Sequence, residues 1–271
     1  MGSFILGRQF LPYTVTASSS ATDHPPTNVQ RYDRPQITWR QGGASGDSWL
    51  RADFTTPPTA GFLHHTTAPQ VVIEQSPTGS TWSPWGAGTY AIPFDRRVGR
   101  RKLWVDFTGL TNLHLRYRFP ELVLEPGFGG ETPFGDSGFV TADEAPHFEV
   151  GVLAFFAPVV ALTAPPWFPM RYTPRGGGER LPFLAGNEDV NDGGLRRLET
   201  RLTIRGEKIL QAMQDEAAEW AAVGQGDLIA LAELYADEPW RVILGRIVGD
   251  DQVVEEHPLL SRPDLFLREA A

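Results

Sequence analysis

Of the side chains able to do chemistry, the six histidines at 24, 64, 65, 114, 147 and 257 come first, and no two share the i, i+4 spacing that sets a zinc-ligating pair on one helical face. His64 and His65 are adjacent, so on a strand they point to opposite faces. Asn187-Glu188-Asp189-Val190-Asn191-Asp192-Gly193 has the acidic character of a calcium loop. Its sixth position, however, is Asp192 where the sharp turn needs Gly, and its twelfth is Leu198 where the ion needs Glu. It reads as a polar turn. Ser76 and Ser137 lack the G-x-S-x-G elbow that exposes a nucleophile, and no Gly-rich loop ends in the Lys-Ser or Lys-Thr that cradles phosphate. The pairs Glu121/Glu125 and Asp53/Glu74 have the residue types of a glycosidase acid and base, but that chemistry depends on a carboxylate separation that only the fold sets. The sequence therefore predicts no catalytic residue, no metal, no cofactor and no enzyme activity.

What it offers instead is aromatic surface. Trp82, Trp85 and Tyr90 stand between and around turn signals at Ser76-Pro77-Thr78-Gly79 and Gly86-Ala87-Gly88. They are candidate glycan contacts, because an aromatic ring gives a broad apolar face with a polar handle. The competing use is structural, with Trp82 in the core of a hairpin and Trp85 packed under a Gly-rich turn.

Lys and Arg number 24 against 33 Asp and Glu, a net charge of −9, which excludes general nucleic-acid binding because phosphate contacts need a basic face. Arg96, Arg97, Arg100, Arg101 and Lys102 are the local exception, read as a solvated turn that deters edge-to-edge pairing or as a contact for an acidic neighbour. There is no cysteine, so neither a disulfide framework nor a thiolate metal site is available, and a reducing cytoplasm suits the chain. The N-terminus lacks the apolar core and cleavage site of a signal peptide. Residues 150–164 are apolar but fall short of the roughly twenty needed to span a membrane, and Pro158 interrupts them, so they read as buried strands without membrane insertion.

The elements that must position these residues are mainly β. The 271 residues carry 28 Gly and 23 Pro, scattered singly between apolar runs, which favours many short strands and two domains. Strand signals fall at 14–17, 36–39, 49–54, 71–75, 90–94, 102–107 and 113–119, a spacing that predicts an antiparallel sandwich. In the last of these, Leu113, Leu115, Tyr117 and Phe119 share one face while His114, Arg116 and Arg118 share the other. Residues 120–148 are dense in turn formers and read as a linker, and the near-continuous apolar run 149–162 implies burial on both faces or in a subunit contact. Further on come a strand at 198–204, a helix at 207–223 stopped by Gly224, and strands at 228–234, 240–248 and 264–269. The predicted fold is an N-terminal jelly-roll β-sandwich over 1–119, the linker, and a C-terminal barrel-like β domain with one packed α-helix over 149–271.

Two resemblances attach to these landmarks. Pro26-Thr27-Asn28-Val29, Thr38-Trp39, Trp49-Leu50-Arg51-Ala52-Asp53-Phe54, the run from Val71 through Trp82, and Leu115-Arg116-Tyr117-Arg118 follow the order of the discoidin, or galactose-binding-like, jelly roll, with Thr78 where that hairpin usually has Asp. That resemblance covers about residues 10–119 and implies a sandwich whose relatives often bind sugars or lipids. The order strand, helix, Gly-containing turn, strand, hairpin and terminal strand in residues 198–269 resembles the belt domain of distal tail proteins of long-tailed bacteriophages. Many of those proteins put the belt first and the sandwich second, the reverse of the order here. That resemblance implies a structural virion protein of a phage tail tip or baseplate, assembled in the host cytoplasm. It would form a homo-oligomeric ring, hexamer or trimer, between the tail tube and the tip, hub or receptor-binding proteins. Candidate subunit contacts are Leu228, Leu231 and Leu234, with Trp240, Val242 and Leu244, then Phe155 and Phe156, and finally Trp167 and Phe168 in an aromatic loop. The alternative reading is a carbohydrate-binding module protein that attaches to host surface glycans.

Overall fold

A computed structural model of the chain describes residues 3–7, 10–32, 34–42, 47–95, 100–120, 148–157 and 159–161, and the strand segments 172–175, 180–182, 188–190, 197–203, 206–207, 228–234, 242–247, 252–257 and 260–269. Two compact units result. One joins Met1–Gln9, with strand β1 (Ser3–Gly7), to Val159–Ala271; the other is Phe10–Pro158.

The Phe10–Pro158 unit is an antiparallel sandwich of two five-stranded sheets. The front sheet runs β2 (Tyr13–Ala17), β4 (Ser48–Phe54), β10 (His114–Phe119), β6 (Gln70–Ser76) and β7 (Ser83–Ala91). The back sheet runs β3 (Trp39–Arg40), β11 (Glu149–Phe156), β5 (Ala60–Thr66), β9 (Arg100–Asp106) and β8 (Phe94–Asp95). The mainly-β sandwich expected from the strand spacing is present. Its limits differ from those expected, since Glu149–Phe156 pairs with β5 and β3 inside the sandwich instead of opening the second domain. The physical reason lies in the run itself, which is apolar at nearly every position and suits a strand covered on both faces.

Leu50, Ala52 and Phe54 alternate with half-buried residues along β4, as Leu115, Tyr117 and Phe119 do along β10, so the front sheet gives one face to the core. Leu63, Leu103, Val105, Phe107, Leu153 and Phe155 meet them from the back sheet. Phe155 is the hub, with its ring 4.7 Å from Phe54, 4.9 Å from Tyr13 and 6.0 Å from Tyr117, each edge-on. The Tyr13 hydroxyl donates to the Leu153 carbonyl and ties the two sheets together.

The back sheet is buried on its other face as well. Phe62, His64, Lys102, Trp104, Val152, Ala154 and Phe156, the residues alternate to the inner set, are all buried. Trp104 stacks on Phe156 at 5.8 Å and Phe62 on His64 at 5.4 Å. The strand β5 was not foreseen. Its Ala-Gly-Phe-Leu start has no alternation because neither face is wet, and a bulge at His65, with φ of +58°, shifts its register against β9. Gly151 opposite that bulge admits no side chain, since a Cβ there would stand 2.0 Å from the Pro35 carbonyl oxygen.

In the other unit the sheet order is β12 (Val159–Ala161), β1, β18 (Leu228–Leu234), β19 (Val242–Ile247), β21 (Leu260–Glu269), β16 (Arg197–Thr203) and β13 (Tyr172–Arg175), with β17 (Gly206–Glu207) and β20 (Gln252–His257) also on β21. A separate hairpin pairs β14 (Arg180–Pro182) with β15 (Glu188–Val190), so the acidic run read as a polar turn begins as a strand. Strand β1 pairs along β18, from Ser3 opposite Leu234 to Gly7 opposite Ala230, so the sandwich is inserted after the first strand of this unit. Of the expected helix at 207–223, Glu207 lies in β17 and the remainder falls outside the described residues. Among the described residues no helix is long and apolar enough to cross a membrane.

Candidate functional site

The hairpin joining β6 to β7 gathers most of the polar and aromatic groups of interest. Its turn closes on Ser76, whose Oγ accepts from the Gly79 amide at 2.8 Å and the Thr78 amide at 3.3 Å. Gly79 has φ of +74°, which favours glycine, and a Cβ there would lie 2.2 Å from Arg51 Nη2 and displace that side chain. Through that gap Arg51 Nη1 donates to the Gly79 carbonyl at 3.0 Å.

Arg51 is one member of a ladder on the outer face of the front sheet. Asp53 Oδ1 accepts from Arg51 Nε at 2.7 Å and from His114 Nδ1 at 2.5 Å, Glu74 Oε2 accepts from Arg116 Nε at 2.7 Å, and Asp47 Oδ2 accepts from Arg118 Nη1 at 2.5 Å. Register explains the order, since His114 stands opposite Asp53 on one side and Ser76 on the other, and Arg116 opposite Arg51 and Glu74. The Trp82 ring lies across this ladder, with the Arg116 guanidinium carbon 4.5 Å and that of Arg51 5.6 Å from its centroid.

Trp85 and Tyr90 belong to the opposite side of the same hairpin. Trp85 Nε1 donates to the Asp106 carbonyl at 3.2 Å and its ring packs 5.9 Å from Phe107, while the Tyr90 hydroxyl donates to the Trp85 carbonyl at 3.2 Å. Partial burial pushes the Tyr90 hydroxyl pKa up, against a smaller lowering by its hydrogen bond with the Ala87 backbone. Both residues lean on the core and remain half-buried. The structure thus brings Trp85 and Tyr90 together and sets Trp82 apart, on the outer face.

Other sequence-derived candidates resolve as follows. Asp53 and Glu74 are each held by a cation and stand on strands separated by β10. Glu121 and Glu125 lie outside the described residues. Lys102, expected in a solvated turn, is fully buried, and Arg101 bonds the Ile92 carbonyl at 2.7 Å beside the Phe94 ring, with burial lowering its pKa. Phe155, Phe156 and Leu244, expected at subunit contacts, are fully buried within the chain and present no surface to a partner. Leu228, Leu231, Leu234 and Val242 lie on β18 and β19, with β1 paired along one side of β18 and β19 along the other. Trp167, Phe168 and Trp240 lie outside the described residues. Among the described residues no group of three or more metal-ligating side chains converges.

The ladder itself was half visible in the sequence. Alternation puts Arg51 and Asp53 on one face of β4 and His114, Arg116 and Arg118 on one face of β10, but only the register brings Asp53 to His114.

No family model and no curated protein matches the chain. Similar solved structures include a GH29 fucosidase of Ruminococcus gnavus in complex with fucose, at TM-score 0.38 and 10% identity over 53% of this chain and 25% of that one. Chitosan-binding module 1 of a chitosanase/glucanase from Paenibacillus sp. IK-5 is similar at 0.35 and 12%, over 55% of this chain and 98% of the module. The lectin binding domain of Lectinolysin complexed with Lewis b is similar at 0.36 and 10%, over 54% and 92%. The chain therefore spans about a quarter of the fucosidase and nearly all of the two smaller modules.

Proposed function

We propose that the chain is a non-enzymatic attachment protein whose sandwich binds carbohydrate. The observation that carries this is strand β7. It forms an edge of the front sheet, runs for nine residues without a single charge, and bears Trp85 and Tyr90 half-exposed among Ser, Thr and Gly. Such a surface has nothing for an ionic partner and suits sugars, which offer apolar ring faces and neutral hydroxyls. The reading for this chain rests on β7 itself. A glycan array with the full chain, followed by calorimetry on the best ligand, tests it. Trp85→Ala is expected to weaken binding by about tenfold or more, equivalent to ~1.4 kcal/mol, while melting stays cooperative. Retention of no glycan by the wild type sinks the reading.

A second reading, a ring-forming adaptor of a phage tail tip in contact with tube and hub proteins, is favoured by one observation. The sandwich enters and leaves through adjacent points, with Phe10 bridged to Phe156 and the Leu11 amide bonded to the Phe155 carbonyl at 2.8 Å, as a module plugged into a scaffold would. Light scattering with negative-stain images of the same peak tests it; a closed ring of three or six copies supports it, and a monomer with no affinity for tail tubes removes it.

A further inference from the structure

Two donors compete for Asp53 Oδ1, Arg51 Nε at 2.7 Å and His114 Nδ1 at 2.5 Å. A contact that close to a carboxylate oxygen requires the hydrogen on Nδ1, so Nε2 is where His114 would take a further proton. The 3.4 Å approach of Arg51 Nη2 to His114 Nδ1 then sets donor against donor. Among the described residues, the groups facing His114 are Arg51 and Asp53 from β4, Ser76 from β6 with Glu74 beyond it on Arg116, Thr14 from β2 opposite Asp53, and the Gly79 carbonyl through Arg51. Among the described residues, Asp53 is the one carboxylate paired with the imidazole, and it is already shared with a cation.

We infer that His114 is a proton-operated release for the hairpin tip that carries Trp82. With the ring neutral, Arg51 spans from Asp53 to the Gly79 carbonyl and fixes the turn beside Trp82. A proton on Nε2 places two cations 3.4 Å apart over one carboxylate. His114 keeps Asp53, because its backbone stands directly opposite on the paired strand, and the longer Arg51, whose side chain is 26% exposed, swings to water. The Gly79 carbonyl then loses its tie to Arg51 while its amide keeps Ser76 Oγ, and of the two guanidiniums over Trp82 that of Arg116 remains. This device stands independently of what the sandwich binds.

The test follows the indole N–H resonance of Trp82 in the 15N-labelled full chain, assigned by its loss in Trp82→Phe, from about pH 8 to about pH 5, where histidine changes charge. The expected result is one transition in that resonance, absent in His114→Asn, whose amide still donates to Asp53 but takes no proton. Arg51→Lys, too short a fork to reach both Asp53 and Gly79, is expected to shrink the transition to a small fraction of its size. A Trp82 resonance indifferent to pH, or one that moves alike in wild type and His114→Asn, overturns the inference. Should His114→Asn fail to fold, a full-sized transition in Arg51→Lys overturns it equally.

Discussion

Strands Ser48–Phe54 and Glu149–Phe156 lie in opposite sheets of one sandwich and handle polar groups in opposite ways. The first alternates, sending Leu50, Ala52 and Phe54 inward while Trp49, Arg51 and Asp53 stay half-buried outside. The second is buried from Val150 to Phe156, and its neighbours carry His64 and Lys102 with no exposure at all. On the front sheet, charge is managed by pairing at the rim of solvent, with the side chains of Arg51, Asp53 and His114 between 23% and 27% exposed. On the back sheet, stability comes from a second apolar layer, in which each large side chain such as Phe62 or Phe156 contributes about 1.5–3 kcal/mol by leaving water. The lesson is that one sandwich holds a face able to respond to ions and protons and a face that is committed to packing.

The sharpest way to break this comparison is Phe156→Ala. A side chain in a true second core should cost about 3–5 kcal/mol in urea unfolding, whereas a solvent-facing one would cost under ~0.5 kcal/mol.

Alkaline pH probes the packed interior next. Burial raises the Tyr32 hydroxyl from 10.0 to about 12, against a smaller lowering by its hydrogen bond with Tyr13, and burial drives Tyr13 and Tyr117 well above the ordinary value. Because the folded pKa is the higher one, this stability is fully present below pH 10 and is lost as pH rises through about 12. Tyrosinate absorbance should therefore appear together with unfolding. Ionisation of these three hydroxyls near pH 10 in a folded chain would contradict their burial.

Gly79→Ala addresses the front sheet, where φ of +74° alone predicts a loss of about 1–2 kcal/mol, with a change in Trp82 fluorescence as Arg51 is displaced. The smallest effect belongs to Arg118→Ala. Its close partner Asp47 is 47% exposed and its other, Glu74 Oε1, stands 3.7 Å away, so the loss is at most about 1 kcal/mol and should weaken further in high salt. A larger loss there would mean that the outer ladder bears more of the fold than its exposure implies.

The same contrast decides what the sequence made legible. Period-two patterning located β4, β6 and β10 within a residue or two, because each has one wet face. Strand β5 escaped notice because Phe62 and Leu63 are both buried and Gly61 interrupts any period. Of the apolar run 149–162, Glu149–Phe156 is covered on both faces inside the sandwich and Val159–Ala161 pairs with β1 in the other unit, since apolar character says that a strand is covered and not by what. The aromatic trio was visible as composition; that Trp82 departs from Trp85 and Tyr90 depends on the register shift between Val72 and Glu74, which no local signal carries. The link from Asp53 to His114 spans sixty-one positions and exists only through strand pairing.

The inserted sandwich also orders events in time. Ser3–Gly7 is translated before the sandwich that follows it, but its partners are Val159–Ala161 and Leu228–Leu234. By the time the last of these is translated, every strand of Phe10–Pro158 has been available for folding, and its ends are already bridged at Phe10 and Phe156. Completing the sandwich first draws the two arms of the other unit to one point, so the loop that β1 must close shrinks from more than 150 residues to a short tether. Strand β1 is made before the sandwich yet paired after it, and the module between serves as the clasp that makes its late pairing quick.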